Sequence, residues 1–486
     1  MLSKAKSLYC LIYILMIIIF MLPAAVAQEQ NARLNDNPDI RAAIAVFDSW
    51  MQQKLIDEQV PGVSIGLIYD QDLLWAKGYG FANLKKRTPA TPATAYRIAS
   101  LTKLYTATAI MQLRDDGKLQ LDDPVIKYVP WFHLDDPFAD SPVITIRHML
   151  THTSGLPREL EGLYWDNVQF PDHDKFVQMF QEASAILPRE TEYKYSNVAF
   201  SILGEIIANV SGEPYPDYVK NHILKPLGME ATEVVPTKDM PELATGYKYR
   251  QAGEPRQPEP FLQFNAMTSA AGIATSVEDM ARFVSFQFTT GPAGGAQILK
   301  GSTLREMQRV QWLDTTWQSG IGFSWFIYKY PDMVQIRHSG LVNGFTSAVS
   351  ACVDQKFGVI VFANADDAPI WDINNQAWKI IAPIVREVTA VAEKGPVADS
   401  SWEKYAGFYD WEDGSRSQVL IIKGELSVVD PRSEDPWGER FRLENVSEGV
   451  FRMINGSQKG ELIRFDVDPS QKRLRMVWPG YAAVKE

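Results

Sequence analysis

The chain has 486 residues, 46% of them apolar and 22% charged, a globular composition that excludes a disordered or fibrous protein and leaves room for two or three cores. Its formal charge of −11 comes without a basic cluster, which argues against nucleic acid as a partner.

Lys4 and Lys6 precede the uncharged run "LYCLIYILMIIIFML", which ends at Pro23 and Ala25-Val26-Ala27. A positive start, an apolar middle and a small-residue cleavage site predict a signal peptide over residues 1–27 and an exported, periplasmic or secreted protein. Contact with a membrane is expected only if that segment stays uncleaved. Its removal takes Cys10 with it and moves the formal charge to −13, leaving Cys352 with no internal disulfide partner. The neighbours of Cys352, "SAVSACV", predict a buried strand and a packing thiol.

Next, "GVSIGLIYD" and "LLWAKGYGFA" flank Gln71-Asp72 and predict a β-hairpin. Gly62-Val63-Ser64-Ile65-Gly66 matches the G-x-S-x-G elbow of α/β-hydrolases, but an elbow needs a strand that runs into a helix. Here the match lies inside an alternating strand, so Ser64 is read as strand packing.

"RIASLTKLYTATAIMQL" then opens a helical run that Gly117 stops, with Ser100 and Lys103 at i and i+3 near its mouth. Side chains at that spacing share a face, so the lysine amine reaches the serine hydroxyl. To act as a base it must shed its proton, and moving its pKa from about 10.4 to about 7 takes roughly 4–5 kcal/mol of environment. Burial and a neighbouring cation supply shifts of that size.

His148 and His152 follow at the spacing of a helical zinc pair. Met149 stands where H-E-x-x-H has its glutamate, so both are read as structural and no metal is expected. Residues 157–194 have weak periodicity and are rich in aromatic and acidic side chains, including Tyr164 and Trp165, the pattern of a long surface excursion. "YKYSNVAF" puts Tyr195 and Asn197 just before a helix that Gly212 ends, where a phenol can relay protons and an amide can orient the lysine and a substrate carbonyl.

From Met333, "MVQIRHSG", "GFTSAVSACV" and "FGVIVFANA" predict an antiparallel meander with His338, Ser339 and Gly340 at the end of a strand, where glycines let a substrate backbone lie close. "NNQAWKIIAPIVREV" predicts one amphipathic helix. Residues 393–401 read as a linker, and residues 402–486 as a separate β-rich, small barrel-like module with an Asn455-Gly456 hairpin signal. Helical material inserted between two sheet-forming ends, within residues 28–392, predicts an α/β (α+β) fold: an antiparallel sheet flanked by helices, plus an all-α lobe.

The order S-x-x-K, Y-x-N, H-x-G resembles the serine penicillin-recognising enzymes. From about Pro61 to Val388 the chain resembles the class C β-lactamase and D,D-peptidase type of serine hydrolase. "PGVSIGLI", "YRIASLTK", "ITIRHMLTHTSGLP", "YSN", "PLGM", "GIATSVEDMARF" and "HSGLVNGFTS" occur in family order. The resemblance implies the β-lactamase/transpeptidase-like fold, Ser100 as the acylated nucleophile, and Lys103 and Tyr195 sharing its proton. It implies that Asn197 holds the substrate amide, with His338, Ser339 and Gly340 beside it, and that the backbone N–H groups of Ser100 and Leu341 form the oxyanion hole. No cofactor is implied, and the partner is a small-molecule or peptide substrate; the oligomeric state is left open.

His338 stands where β-lactamases carry lysine. In this family a histidine there goes more often with D,D-carboxypeptidases, D-amino-acid peptidases and other non-lactamase hydrolases. The expected substrates are therefore D-amino-acid peptides or amides, then short esters, with β-lactams last. A sensor that is acylated once and stops is the non-enzyme alternative. With an ordinary pKa near 6.5, His338 is expected to attract anions, and so to favour acylation, as the pH falls towards 6.

Overall fold

The computed structural model describes residues 34–138, 140–165, 169–289, 297–392, 400–422, 425–430, 439–469, 472–478 and 480–486. The signal segment expected at 1–27 and most of the linker expected at 393–401 lie outside these residues. No helix among the described residues is long and apolar enough to cross a membrane. The chain divides into two compact units, the first ending at Arg386 and the second beginning at Glu387.

The first unit is built on a nine-stranded antiparallel sheet. Its order is Thr88–Pro89, Asp72–Asn83, Gly62–Tyr69, Phe357–Ala363, Phe345–Cys352, Val334–Val342, Phe326–Lys329, Ser319–Ile321 and Trp312–Leu313. The N-terminal hairpin thus pairs directly with the last strand of the meander, Val63 opposite Ala363. Val277 and Val284 of helix Val277–Phe286 lie on the sheet face that carries Gly66 and Gly358. Trp378 of helix Ile370–Ile380 meets Phe357 edge-on, with ring centroids 5.0 Å apart. Successive strand residues face opposite ways, so the two helices cover opposite faces.

The stretch that continues into Ala382–Ala392 is two helices, not the single one expected. The first ends at Ile381, and Pro383 falls in the first turn of the second, where its missing N–H does no harm. The surface excursion likewise holds a helix of its own, His173–Gln181, capped by Asp172.

The all-α lobe fills the chain between the sheet halves. Its central helix, Thr102–Asp115, is buried along nearly its whole length, through Leu104, Tyr105, Ala107, Ala109, Ile110, Met111 and Leu113. Burial on all sides removes the polar stripe of a surface helix, and its hydroxyls are satisfied inside the protein. The Thr106 hydroxyl donates to the Ser269 carbonyl at 2.7 Å and that of Thr108 to the Leu104 carbonyl at 2.8 Å. Helix Asn197–Ser211 packs against it and ends at Gly212 (φ +77°).

The second unit is a closed barrel of eight antiparallel strands, from Gly407–Trp411 to Tyr481–Lys485, with the last strand pairing back onto the first. Tyr409, Val419, Leu426, Leu443, Phe451, Met453, Ile463, Phe465 and Met476 fill its interior. Asn455 does not make the expected tight turn: an eight-residue connection joins Val450–Met453 to Leu462–Val467. Its side chain instead accepts from the Arg442 N–H at 2.7 Å and donates to the Arg440 carbonyl at 2.9 Å.

Candidate active site

Ser100 sits in a single 3-10 turn, Ala99–Leu101, that feeds directly into the buried helix. Ala99 holds the left-handed backbone conformation (φ +49°), which an L-residue with a Cβ adopts only under strain. The strand Val334–Val342 secures this turn. A Cβ on Gly340 would lie 2.1 Å from the Ile98 carbonyl oxygen, so only glycine lets the strand approach so closely. The Ser347 hydroxyl donates to that same carbonyl at 2.9 Å. Gly340, expected to receive substrate, thus has a prior task in seating the Ser100 turn.

Lys103, one helical turn on, is fully buried. Its Nζ lies 2.6 Å from Asn197 Oδ1, 2.8 Å from the Ala270 carbonyl oxygen and 3.2 Å from Ser100 Oγ. The first two partners only accept, so they take two N–H donors and leave the third position of nitrogen for Ser100. In a neutral amine that position is the lone pair, which then faces the Ser100 hydroxyl. Burial pulls the Lys103 pKa well below the usual lysine range, with Arg158 adding to the shift and Glu159 opposing it.

The Tyr195 ring centroid lies 5.0 Å from Lys103 Nζ. Desolvation pushes its phenol up, which keeps it protonated, while the nearby Ser100 hydroxyl opposes that shift. The loop carrying Tyr195 is stitched to the "HTSGLP" segment. The His152 carbonyl accepts from the Lys194 N–H at 2.7 Å, the Arg158 carbonyl from the Asn197 N–H at 2.9 Å, and the Pro157 carbonyl from the Ser196 hydroxyl at 2.7 Å.

The two histidines read as structural have separate duties. His148 caps its helix with Thr145 and meets Glu190 Oε1 at 2.9 Å. His152 packs on Tyr195, with ring centroids 4.4 Å apart, and its Nδ1 accepts from the Ser196 N–H at 3.1 Å. Among the described residues no group of three His, Cys, Asp or Glu side chains could hold a metal ion. Ser64 is buried in its strand, bonded to the Thr91 carbonyl at 2.7 Å and the Tyr96 hydroxyl at 2.9 Å.

His338 departs from expectation in two ways. It lies in the middle of a nine-residue strand rather than at its end, because pairing runs on through Leu341 opposite Thr346. It is also 1% exposed, and burial together with the charge of Lys103 lowers its pKa to about 3. Nδ1 donates to the Ser339 carbonyl at 2.8 Å, so Nε2 carries the lone pair, buried and without a protein partner. The expected gain of positive charge between pH 7 and 6 therefore does not occur. Ser339 lends its carbonyl to this bond; Leu341 is 58% exposed on the same strand. The strand Phe326–Lys329 stops pairing at Arg337, which leaves that edge of residues 338–341 unpaired beside the Ser100 turn.

Glu159, which no sequence motif singled out, completes the arrangement. Its Oε1 accepts from Asn197 Nδ2 at 2.5 Å and from Trp165 Nε1 at 3.0 Å. The only hint in the sequence is its place two residues after "TSGLP", at the start of the aromatic and acidic excursion. Trp165 holds the excursion in place a second way, its carbonyl accepting from Asn343 Nδ2 at 2.9 Å.

A family model described as Beta-lactamase matches residues 47–382. Protein flp of Staphylococcus aureus (strain MW2) is 30% identical over 331 residues, covering 65% of this chain and 62% of that relative. A putative penicillin-binding protein, PbpX, of Bacillus subtilis (strain 168) is 30% identical over 321 residues, or 65% of this chain and 74% of its own. Among solved structures, the octameric penicillin-binding protein homologue from Pyrococcus abyssi superposes with a TM-score of 0.62 at 25% identity. That match covers 91% of this chain and all of the other.

Proposed function

The chain belongs to the Beta-lactamase family, and from that premise we propose that it is an exported serine hydrolase working through an acyl-enzyme on Ser100. The observation that carries this reading is Lys103, buried between two carbonyl oxygens with its remaining position on Ser100 Oγ. In the reaction the Ser100 hydroxyl proton passes to Lys103 or Tyr195 while Oγ bonds to the substrate carbonyl carbon. The oxyanion is met by the backbone N–H groups of Ser100 and Leu341. Collapse breaks the bond to the leaving group, which takes the proton from the same pair, and water then repeats the sequence on the ester. Export rests on the segment at residues 1–27.

D-amino-acid amides and peptides are the first substrate class, supported by relatives named for penicillin binding. The neutrality of His338 favours a second class. With a pKa of about 3 it offers no charge to a substrate carboxylate, which disfavours anionic β-lactams and suits short neutral esters. A fluorophosphonate probe with peptide mapping, followed by a panel of D-alanyl peptides, p-nitrophenyl esters and a chromogenic cephalosporin, tests the proposal. Label on Ser100 and repeated turnover of a D-alanyl peptide or an ester are expected. Label elsewhere removes the assignment, and a single stoichiometric acylation makes the protein a sensor instead.

A further inference from the structure

Asn197 is the usual candidate for holding a substrate amide, yet in this molecule both ends of its side chain are occupied by protein. Oδ1 lies 2.6 Å from Lys103 Nζ and Nδ2 lies 2.5 Å from Glu159 Oε1. An ionised carboxylate only accepts hydrogen bonds, so the amide nitrogen must face Glu159 and the amide oxygen must face Lys103. Trp165 Nε1, a pure donor, holds the carboxylate in that pose at 3.0 Å. Ser100, Lys103, Asn197 and Glu159 thereby form one line of contacts from a half-buried hydroxyl to a largely buried acid.

We propose that Glu159 is a positioning residue of the acylation step. Through Asn197 it fixes the amide so that its oxygen meets Lys103, and its negative charge stabilises the ammonium that Lys103 becomes on taking the Ser100 proton. The logic is that of the acid behind the histidine in a serine triad, which orients the base and stabilises its charged form without itself receiving the proton. Here the base is a lysine and an amide stands between it and the acid. Proton and electrons balance within the step. The Oγ–H bond breaks and the proton goes to Nζ, the new Oγ–C bond forms, and the carbonyl π pair moves onto oxygen. Leaving-group departure returns the proton.

The surroundings make that charge matter. Ala270 O, Asn197 Oδ1 and Ser100 Oγ surround Nζ, and the aromatic faces of Tyr195 and Phe200 lie 5.0 and 5.5 Å away. His338 and His152 approach from the strand and the "HTSGLP" loop, both held neutral by burial. Arg158 is the nearby cation, 64% exposed and 3.7 Å from Glu159. Glu159 is then the acid placed to offset a positive Lys103; burial pushes its carboxyl above the usual range, the bonds from Asn197 and Trp165 and the charges of Lys103 and Arg158 oppose that shift, and its Oε2 is buried without a protein partner. Removing its charge disfavours the ammonium, so the basic form of Lys103 persists to lower pH. The same change weakens the stabilisation gained during proton transfer, which slows acylation.

This inference rests on the acyl-enzyme reading, and one experiment separates the two. The second-order rate of fluorophosphonate labelling at Ser100 is measured from pH 5 to 10 in the wild type, Glu159→Gln, Glu159→Asp, Asn197→Ala and Glu159→Gln/Asn197→Ala. For Glu159→Gln the expected result is a plateau lowered about 10- to 100-fold, with the acid limb moved to lower pH. The glutamine substitution should cause little further loss once Asn197 is alanine. Glu159→Asp keeps the charge but withdraws it by one methylene, so its plateau should fall several-fold with the limb unmoved. A wild-type plateau and limb in Glu159→Gln overturns the proposal, as does full additivity with Asn197→Ala. If Glu159→Gln fails to fold, a wild-type plateau in Glu159→Asp overturns it equally. Failure of the wild type to label at Ser100 strikes the hydrolase reading instead.

Discussion

The two units solve the problem of burial in opposite ways. The barrel interior is apolar, and among its described residues Ser427 is the buried polar one. The hydrolase unit buries Lys103, Arg97, His152 and His338, each 3% exposed or less. Burying a charged or titratable group is unfavourable unless it is held by partners, and leaving one unpartnered nitrogen costs about 1–3 kcal/mol. His152 Nε2 and His338 Nε2 are both such atoms. The barrel has an unpartnered polar atom too, Ser427 Oγ, but no acidic or basic side chain among its described buried residues, so it reads as a unit built for packing, whereas the first unit keeps buried basic groups where an acyl transfer would use them.

The largest test of this contrast is Ser100→Ala. It should lower fluorophosphonate labelling and ester turnover by at least about 1,000-fold while leaving the melting temperature nearly unchanged. Residual turnover near the wild-type level would move the chemistry elsewhere. Next in size is the converse change in the barrel. Phe451→Ala removes a ring that meets Tyr405, Trp402 and Phe465, and should destabilise that unit by about 3–5 kcal/mol. Calorimetry should show one transition shifted, with Ser100 still labelled at the wild-type rate. Loss of labelling in a folded protein would show that the barrel helps build the site.

Gly204→Ala tests how tightly the site is packed from behind. Its Cβ would lie 2.3 Å from Ser269 Oγ, beside the Ala270 carbonyl that holds Lys103. A cost of about 1–3 kcal/mol, with a fall in kcat larger than any change in KM, is expected. An unchanged kcat would mean that the Ala270 contact adapts freely.

The smallest effect concerns acid. His338 has a folded pKa of about 3 and an unfolded value near 6.5, and His152 is likewise held well below 6.5. The unfolded chain binds more protons between those limits, so stability from these two groups is intact above about pH 6.5 and is lost as the pH falls towards 3. Each histidine can remove up to about 1.4 kcal/mol per pH unit. The barrel carries no histidine. Hydrogen exchange at pH 7.5 and 5.5, corrected for intrinsic rates, should therefore show protection lost in the first unit and kept in the second, and equal losses would remove the contrast.

Parts of this arrangement that depend on neighbours in sequence were legible before any fold was known. Ser100 and Lys103 share a helical face because three residues separate them, and the meander strands alternate or run apolar as strands do. What escaped was set by tertiary placement. Nothing local marks Glu159 as the partner of Asn197, since a loop brings them together. His338 looked like a strand end because Ser339 and Gly340 follow it, but the close approach to Ile98 requires that glycine inside a continuing strand. The titration of His338 was misjudged for the same reason: exposure to solvent is decided by the fold, not by the residue.

The pairing of Val63 with Ala363 has a consequence for how the protein comes into being. During synthesis, the hairpin, the Ser100 turn and the tyrosine loop all emerge well before the strand that seats Ile98 against Gly340. Contacts between segments so distant in sequence form late and slowly. A growing chain therefore holds its serine and lysine without the clamp that aligns them, and the hydrolase can be completed only when its central sheet closes.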